Sequence, residues 1–260
     1  MKIRKNIQSW YPINLIEGEG VGTAYEYFAK LIKLRKFIIS IGNPKRILIA
    51  GLPEKYGFSM DFFWLGAMLN AETVVIDDRS EALENTGRVL SKLKSKHLIN
   101  ETKISFVKTD SISEFNNQSV IRKGFDLALS SEVLQRIDTS KETYISNLMK
   151  VSKNFAVFAP NRSNESHASF SGLKSVWLKD LLKYCLKHSE TRIYAYGYID
   201  MPPFPPGVSR SQEKRDRAAN SSFETFLMKA LEIYNICEDI TPNFIKAKFA
   251  HITYIMVKNQ

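Results

Sequence analysis

Between residues 46 and 161, short apolar runs alternate with longer stretches in which apolar positions recur every three or four residues. Arg46-Ile47-Leu48-Ile49-Ala50 stops at Gly51, and Thr73-Val74-Val75-Ile76 stops at Asp77-Asp78. Ile104-Ser105-Phe106-Val107 leads to Asp110, Phe125-Asp126-Leu127-Ala128-Leu129 to Ser130-Ser131, and Phe155-Ala156-Val157-Phe158 to Pro160-Asn161. Runs of four or five residues rich in β-branched and aromatic side chains, closed by small or polar ones, predict strands buried on both faces. The intervening pattern is helical. Ser59 heads a segment carrying Phe62, Leu65 and Leu69, and Ser80 heads one carrying Leu83, Leu90 and Leu93. Leu173 to His188 sets Leu178, Leu181, Leu182 and Cys185 on one stripe. Such alternation predicts an α/β protein with a doubly wound parallel sheet, in which ligands bind beyond the carboxyl ends of the strands.

Two segments flank this core. Thr23-Ala24-Tyr25-Glu26 has capping-box spacing and is expected to open a helix with Tyr27, Leu31, Leu34 and Ile38 on one face. Lys30, Lys33, Arg35 and Lys36 fall on its other faces, which makes that helix amphipathic and basic. After the core, Thr191 to Tyr196 reads as a strand, followed by the Pro-rich stretch Asp200 to Gly207 and a charged stretch from Arg210 to Arg217. A helix over about Phe223 to Asp239 and a closing strand over Lys248 to Val257 complete the chain, the last strand antiparallel. The expected division is an N-terminal helical cover over 1–45 and a Rossmann-like domain over 46–260, with 200–245 forming an insert at the substrate rim.

Composition narrows the class. The 260 residues are 44% hydrophobic and 25% charged, which excludes wholesale disorder. No apolar run approaches the roughly 18 residues of a membrane helix, so an integral membrane protein is not expected. Two cysteines, Cys185 and Cys237, sit inside helical patterns without disulfide or zinc spacing and are expected to be buried; this favours a reducing, cytoplasmic setting. The net charge of +10 points to an anionic acceptor, with RNA and anionic lipid as further partners.

From Arg46 to about Asn161 the chain resembles the class I S-adenosylmethionine-dependent methyltransferases. The resemblance rests on Phe125 to Ile137, which is similar to the family's fourth strand and following turn, and on Val74 to Leu83, similar to the second strand and its terminal acid. Lys108-Thr109-Asp110-Ser111 resembles the third strand end, and Ala159-Pro160-Asn161 the fifth. The resemblance implies a Rossmann-like, seven-stranded, mostly parallel sheet with an antiparallel last strand, and S-adenosyl-L-methionine as cofactor. The first loop departs from the family's acid-x-Gly-x-Gly-x-Gly: here Ile49 stands in the place of the acid, and Gly51 and Gly57 bracket a longer loop without a central glycine.

The resemblance also implies roles. Asp77, or Asp78 if the register differs by one, accepts from the two ribose hydroxyls, the task for which a strand-end carboxylate is suited. Asp110 accepts from the adenine amino group and Ser111 lends a backbone N–H. Leu52, Phe58 and Leu134 line the adenine pocket; Ala50, Gly51, Pro53 and Gly57 form the loop against the cofactor, with Ser130 and Ser131 at the fourth strand end. For the acceptor's proton the candidate bases are Glu132 and His167. Tyr194, Tyr196 and Tyr198 read as one strand face. The turn at Ser130-Ser131-Glu132-Val133 lacks the Asp/Asn-Pro-Pro-aromatic signature of amino-directed nucleic-acid enzymes, and neither cysteine stands where a cytosine-C5 enzyme needs its nucleophile. The expectation is methyl transfer to a small or anionic acceptor; the alternative is a catalytically degenerate methyltransferase-like module that binds nucleic acid.

Overall fold

A computed structural model of the chain describes residues 6–53, 58–115, 121, 124–138, 140–172, 174–187, 191–201, 203 and 221–259. Seven strands form one sheet: β1 (Arg46–Ala50), β2 (Glu72–Asp77), β3 (Ile104–Lys108), β4 (Leu127–Ser131), β5 (Asn154–Pro160), β6 (Thr191–Ile199) and β7 (Ile252–Asn259). Their order is β3-β2-β1-β4-β5-β7-β6, with β7 antiparallel to both of its neighbours. The order reverses between β1 and β4, which places the switch-point crevice above those two strand ends.

The period of two along each strand divides the core between two faces. Leu48 lies opposite Val74 and Ala128, and all three face a core shared with α5 (Lys141–Val151) and α7 (Leu178–Leu186). Ile49 lies opposite Val75 and Leu129, on the face covered by α1 (Ile7–Glu17), α2 (Val21–Ile41), α3 (Met60–Met68) and α4 (Ser80–Ser95). Three further helices complete the chain: α6 (Glu165–Ser171), α8 (Ser222–Ile240) and α9 (Asn243–Phe249).

Several local expectations change. Helix α1 was not foreseen, because Pro12 interrupts its apolar pattern; it forms because Asn6 caps it, accepting from the Ser9 amide at 2.9 Å, and left-handed Gly18 closes it. Helix α2 starts at Val21 with Gly20 as N-cap, and the Thr23 hydroxyl bonds Glu19 Oε2 at 3.2 Å instead of capping. Ser80 is the first residue of α4, after Arg79 as N-cap. The stripe expected over Leu173 to His188 is realised only in α7; Leu173 and His188 themselves lie outside the described residues. Phe125 makes a lone bridge to Ser152, so β4 begins at Leu127 and takes in Ser130 and Ser131. Lys248 and Phe249 end a helix, and the closing strand starts at Ile252. Cys185 is buried as expected, but Cys237 is exposed. Of the 200–245 segment, Pro202 and residues 204–220 lie outside the described residues, and the rest is built mainly from α8 and α9. Among the described residues no helix is long and apolar enough to cross a membrane.

Candidate active site

The second strand end is a closed ionic knot. Asp77 is completely buried. Its Oδ2 accepts from the Leu52 amide at 2.7 Å and from Arg136 Nη2 at 2.6 Å; its Oδ1 accepts from the amide and Nε of Arg79, both at 2.9 Å. Arg79 Nη2 also donates to Leu52 O at 2.8 Å, which ties the first loop to this strand end. Arg136 continues to Asp78 Oδ1 at 2.5 Å, and the Ile112 amide donates to Asp78 Oδ2 at 3.3 Å. Burial alone would raise the Asp78 pKa, but the Arg136 hydrogen bond and charge hold it below the ordinary range.

Above the first strand, Gly51 has φ +87, a conformation costly for any residue with a Cβ. A Cβ there would also lie 2.8 Å from Val133 Cγ2 and 3.2 Å from Ile112 Cδ1. Leu52 and Leu134 are buried beside it. Asp110 is exposed in the loop after β3, and Ser111 Oγ lies 2.9 Å from Ser113 Oγ. Gly57 lies outside the described residues.

Ser130 and Ser131 project to opposite faces of β4. Ser130 Oγ accepts from Tyr144 OH at 2.8 Å, and the same hydroxyl donates to Ala50 O at 2.5 Å. Ser131 Oγ accepts from Lys30 Nζ at 3.2 Å on the side of α2. There a narrow cleft runs between α1, α2 and the strand ends. Pro53, Phe58, Ser131 and Glu132 form its floor, and Glu17, Glu19, Glu26 and Lys30 its walls. Glu132 holds φ +54, uncommon for a residue with a side chain, while its amide donates to Phe158 O at 2.9 Å.

Lys30, assigned by its helical position to a solvated face, is instead 1% exposed. Its ammonium lies 2.8 Å from Glu26 Oε1 and 3.1 Å from Asp61 Oδ2, 5.0 Å above the Tyr27 ring. Burial alone would lower its pKa; the Asp61 and Glu26 charges reverse that and hold it above 10.5. The same burial raises Glu26 and Asp61, with Lys30 opposing. Burial pushes the Glu17 carboxyl to about 8 although Tyr27 OH donates to it at 2.8 Å and Asn14 Nδ2 at 2.9 Å. A carboxyl titrating near neutrality is suited to proton exchange.

His167 lies apart from these walls. Its ring stacks on that of His251 at 3.9 Å, and His251 Nδ1 lies 3.1 Å from Asp200 Oδ2. The two candidate bases thus belong to different clusters. The residues that sequence reading missed are Arg79 and Arg136, Lys30, Glu26, Asp61 and Glu17. Arg136 was readable only as part of a turn motif, and the others only as helix-surface or helix-end charges. An open groove of ≈ 740 Å³ runs between α4 and edge strand β3, past Gly87 and Phe106, away from the strand ends.

The position of Asp77 suits a nucleoside diol, which would bring O–H donors of the kind its N–H partners already supply. Those partners fill its acceptor positions, so a ribose is accommodated only by exchange. Arg136 retains Asp78 if it gives up Asp77, and one-third-exposed Arg79 has room to turn outward.

No protein-family model matches the chain, and no curated protein matches it. Solved structures do. The plantazolicin methyltransferase BpumL, in complex with a monoazolic desmethylPZN analog and SAH, superposes with a TM-score of 0.51 at 14% identity, covering 91% of this chain and 83% of that one. The magnesium protoporphyrin IX methyltransferase ChlM from Synechocystis PCC 6803, with bound SAH, gives 0.50 at 10% identity over 88% and 80%. The chain therefore has the class I methyltransferase fold, with its Rossmann-like sheet and antiparallel last strand.

Proposed function

We propose that the protein is an S-adenosylmethionine-dependent methyltransferase acting on a small acceptor held in the crevice under α1 and α2. The observation that carries this reading is the polar cluster at the carboxyl end of β4, beside the switch point, in which Lys30, Asp61 and Ser131 are buried and Glu26 and Glu132 are partly so. Asp77 would hold the ribose after exchange with Arg136, Gly51 to Pro53 and Phe58 would face the cofactor, and Asp110 and Ser111 would reach the adenine edge. The cofactor supplies an electrophilic methyl group, and this chain supplies alignment and a proton acceptor. Glu132 and Glu17, which line the cleft, would take that role. Four glutamates and one lysine line the crevice, which favours a cationic or hydroxyl-bearing acceptor over the anionic one suggested by net charge.

Calorimetric titration with S-adenosylmethionine tests the reading. Asp77→Ala is expected to weaken binding at least about tenfold, or 1.4 kcal/mol. Arg136→Ala, which removes the competitor, is expected to leave binding equal or tighter. Absence of binding at millimolar cofactor in both the native protein and Arg136→Ala would overturn it. That result would favour the second reading, a non-catalytic relative with a permanently closed Asp77, which the saturated carboxylate supports. RNA affinity that falls with salt would then identify a nucleic-acid-binding module.

A further inference from the structure

Helix α8 is inverted. Its inward stripe is Glu224, Met228, Leu231, Asn235 and Glu238, all buried against the rest of the chain. Three of those five side chains are polar, and each finds a partner: Tyr11 OH donates to Glu224, Tyr25 OH donates to Glu238, and Asn235 Nδ2 donates to Tyr25 OH at 3.3 Å. At 100° per residue the opposite side carries Phe223, Phe226, Ile233, Ile236 and Ile240, each 65–79% exposed. Phe223, Phe226, Ala230, Ile233, Cys237 and Ile240 are spaced three, four, three, four, three, which is an unbroken a/d seam over almost three heptads.

We propose that α8 pairs with α8 of a second copy of this chain about a two-fold axis. Helices that show apolar residues outward in this register are built to pack against another helix. The five large side chains expose roughly 600 Å² per copy, taking about 150–250 Å² for each aromatic as a guide. Pairing two copies removes at most about 1,200 Å² from water, the lower edge of the range for stable specific interfaces. As a free surface the patch would stand at the upper limit for a monomer. The flanking charges, Lys229, Glu232 and Asp239, are of mixed sign, and Lys33 and Lys246 at the helix end are engaged with Asp239.

Light scattering on the eluting protein is the test. At protein concentrations above about 1 µM the native chain is expected at twice its 29.8 kDa mass. Ile233→Glu/Ile236→Glu is expected to raise the dimer dissociation constant at least about 100-fold. Its far-UV spectrum should match that of the native protein, which shows that the fold is kept. Ile240→Lys, at the helix end, serves if the double variant fails to fold. A native protein that is monomeric at high concentration overturns the proposal, and so does a dimer unaffected by these substitutions. A monomer that floats with phosphatidylglycerol vesicles and loses them on Ile233→Glu/Ile236→Glu also overturns it, by assigning the face to lipid.

Discussion

Replacing Lys30 with Met removes a positive charge of which only 1% of the side chain reaches solvent, and leaves its volume largely filled. Two carboxylates then remain without their cation, Asp61 fully buried and Glu26 mostly so. At 2.8 and 3.1 Å each pair holds about 5 kcal/mol of Coulomb energy at an effective dielectric of 20, most of it offset by desolvation of both partners. Breaking such a buried pair from one side typically costs about 3–5 kcal/mol. The cost should depend on pH in a fixed direction. Burial already raises both carboxyls, and loss of Lys30 raises them further. A carboxyl whose folded pKa lies above its unfolded value loses stability as pH rises through the folded value, so the variant should recover on acidification. Urea unfolding followed by tryptophan fluorescence, at pH 8 and pH 5, is the assay. The gap to the native protein should narrow by at least about 1.4 kcal/mol between those pH values, the equivalent of one pKa unit. Adding Asp61→Asn should recover part of the loss at pH 8. A cost below about 1 kcal/mol that is flat with pH would refute the reasoning, because it would mean the ammonium is solvated like a surface lysine.

Gly51→Ala should destabilise by about 2–4 kcal/mol, combining the left-handed backbone with the approach to Val133. Adding Val133→Ala should return only the steric part, and full recovery in thermal melts would show that the backbone conformation is not required. For His251, burial favours the neutral ring, but the hydrogen bond and charge of Asp200 raise its pKa above 6.5. The pair's contribution is therefore complete below the ordinary histidine value and is lost as pH rises through the higher folded one. His251→Gln should flatten that part of the stability profile; an unchanged alkaline decline would remove His251 as its source.

Much of the fold was legible because its strands are buried on both faces. The runs at Ile47 to Ala50 and Val74 to Ile76 are short, continuous and apolar, and they end at Gly51 and Asp77, the small and polar residues that mark the carboxyl end of such a strand. Boundaries were less legible where two rules compete. Thr23 and Glu26 satisfy capping-box spacing, yet the backbone enters the helix earlier, at Gly20, and the Thr23 hydroxyl turns to Glu19. Lys30 could not be read as buried: Glu26 one turn earlier looks like an ordinary surface partner, and the second carboxylate, Asp61, lies 31 residues away and is brought near only by packing of α3 against α2. Asp77 was recognisable as a strand-end acid, but its arginine partners were not. Arg79 follows it immediately and looks like a helix-start residue, and Arg136 arrives from the turn after β4. Helix α8 was placed nearly correctly, although its orientation, polar side inward, reverses what amphipathicity alone dictates.

The two serines that close β4 have a consequence for how the sheet assembles. Their hydroxyls meet Tyr144 on one face and Lys30 on the other. A slip of one residue in β4 against β1 would turn each serine toward the opposite face. A slip in either direction still leaves one serine at one of the two places, and Tyr144 OH keeps the Ala50 carbonyl while Lys30 keeps Glu26 and Asp61. The serine pair therefore adds about 1 kcal/mol per hydrogen bond to the correct register, on top of the apolar alternation of β4 that decides it. The end of this strand reinforces the central pairing on which the crevice depends.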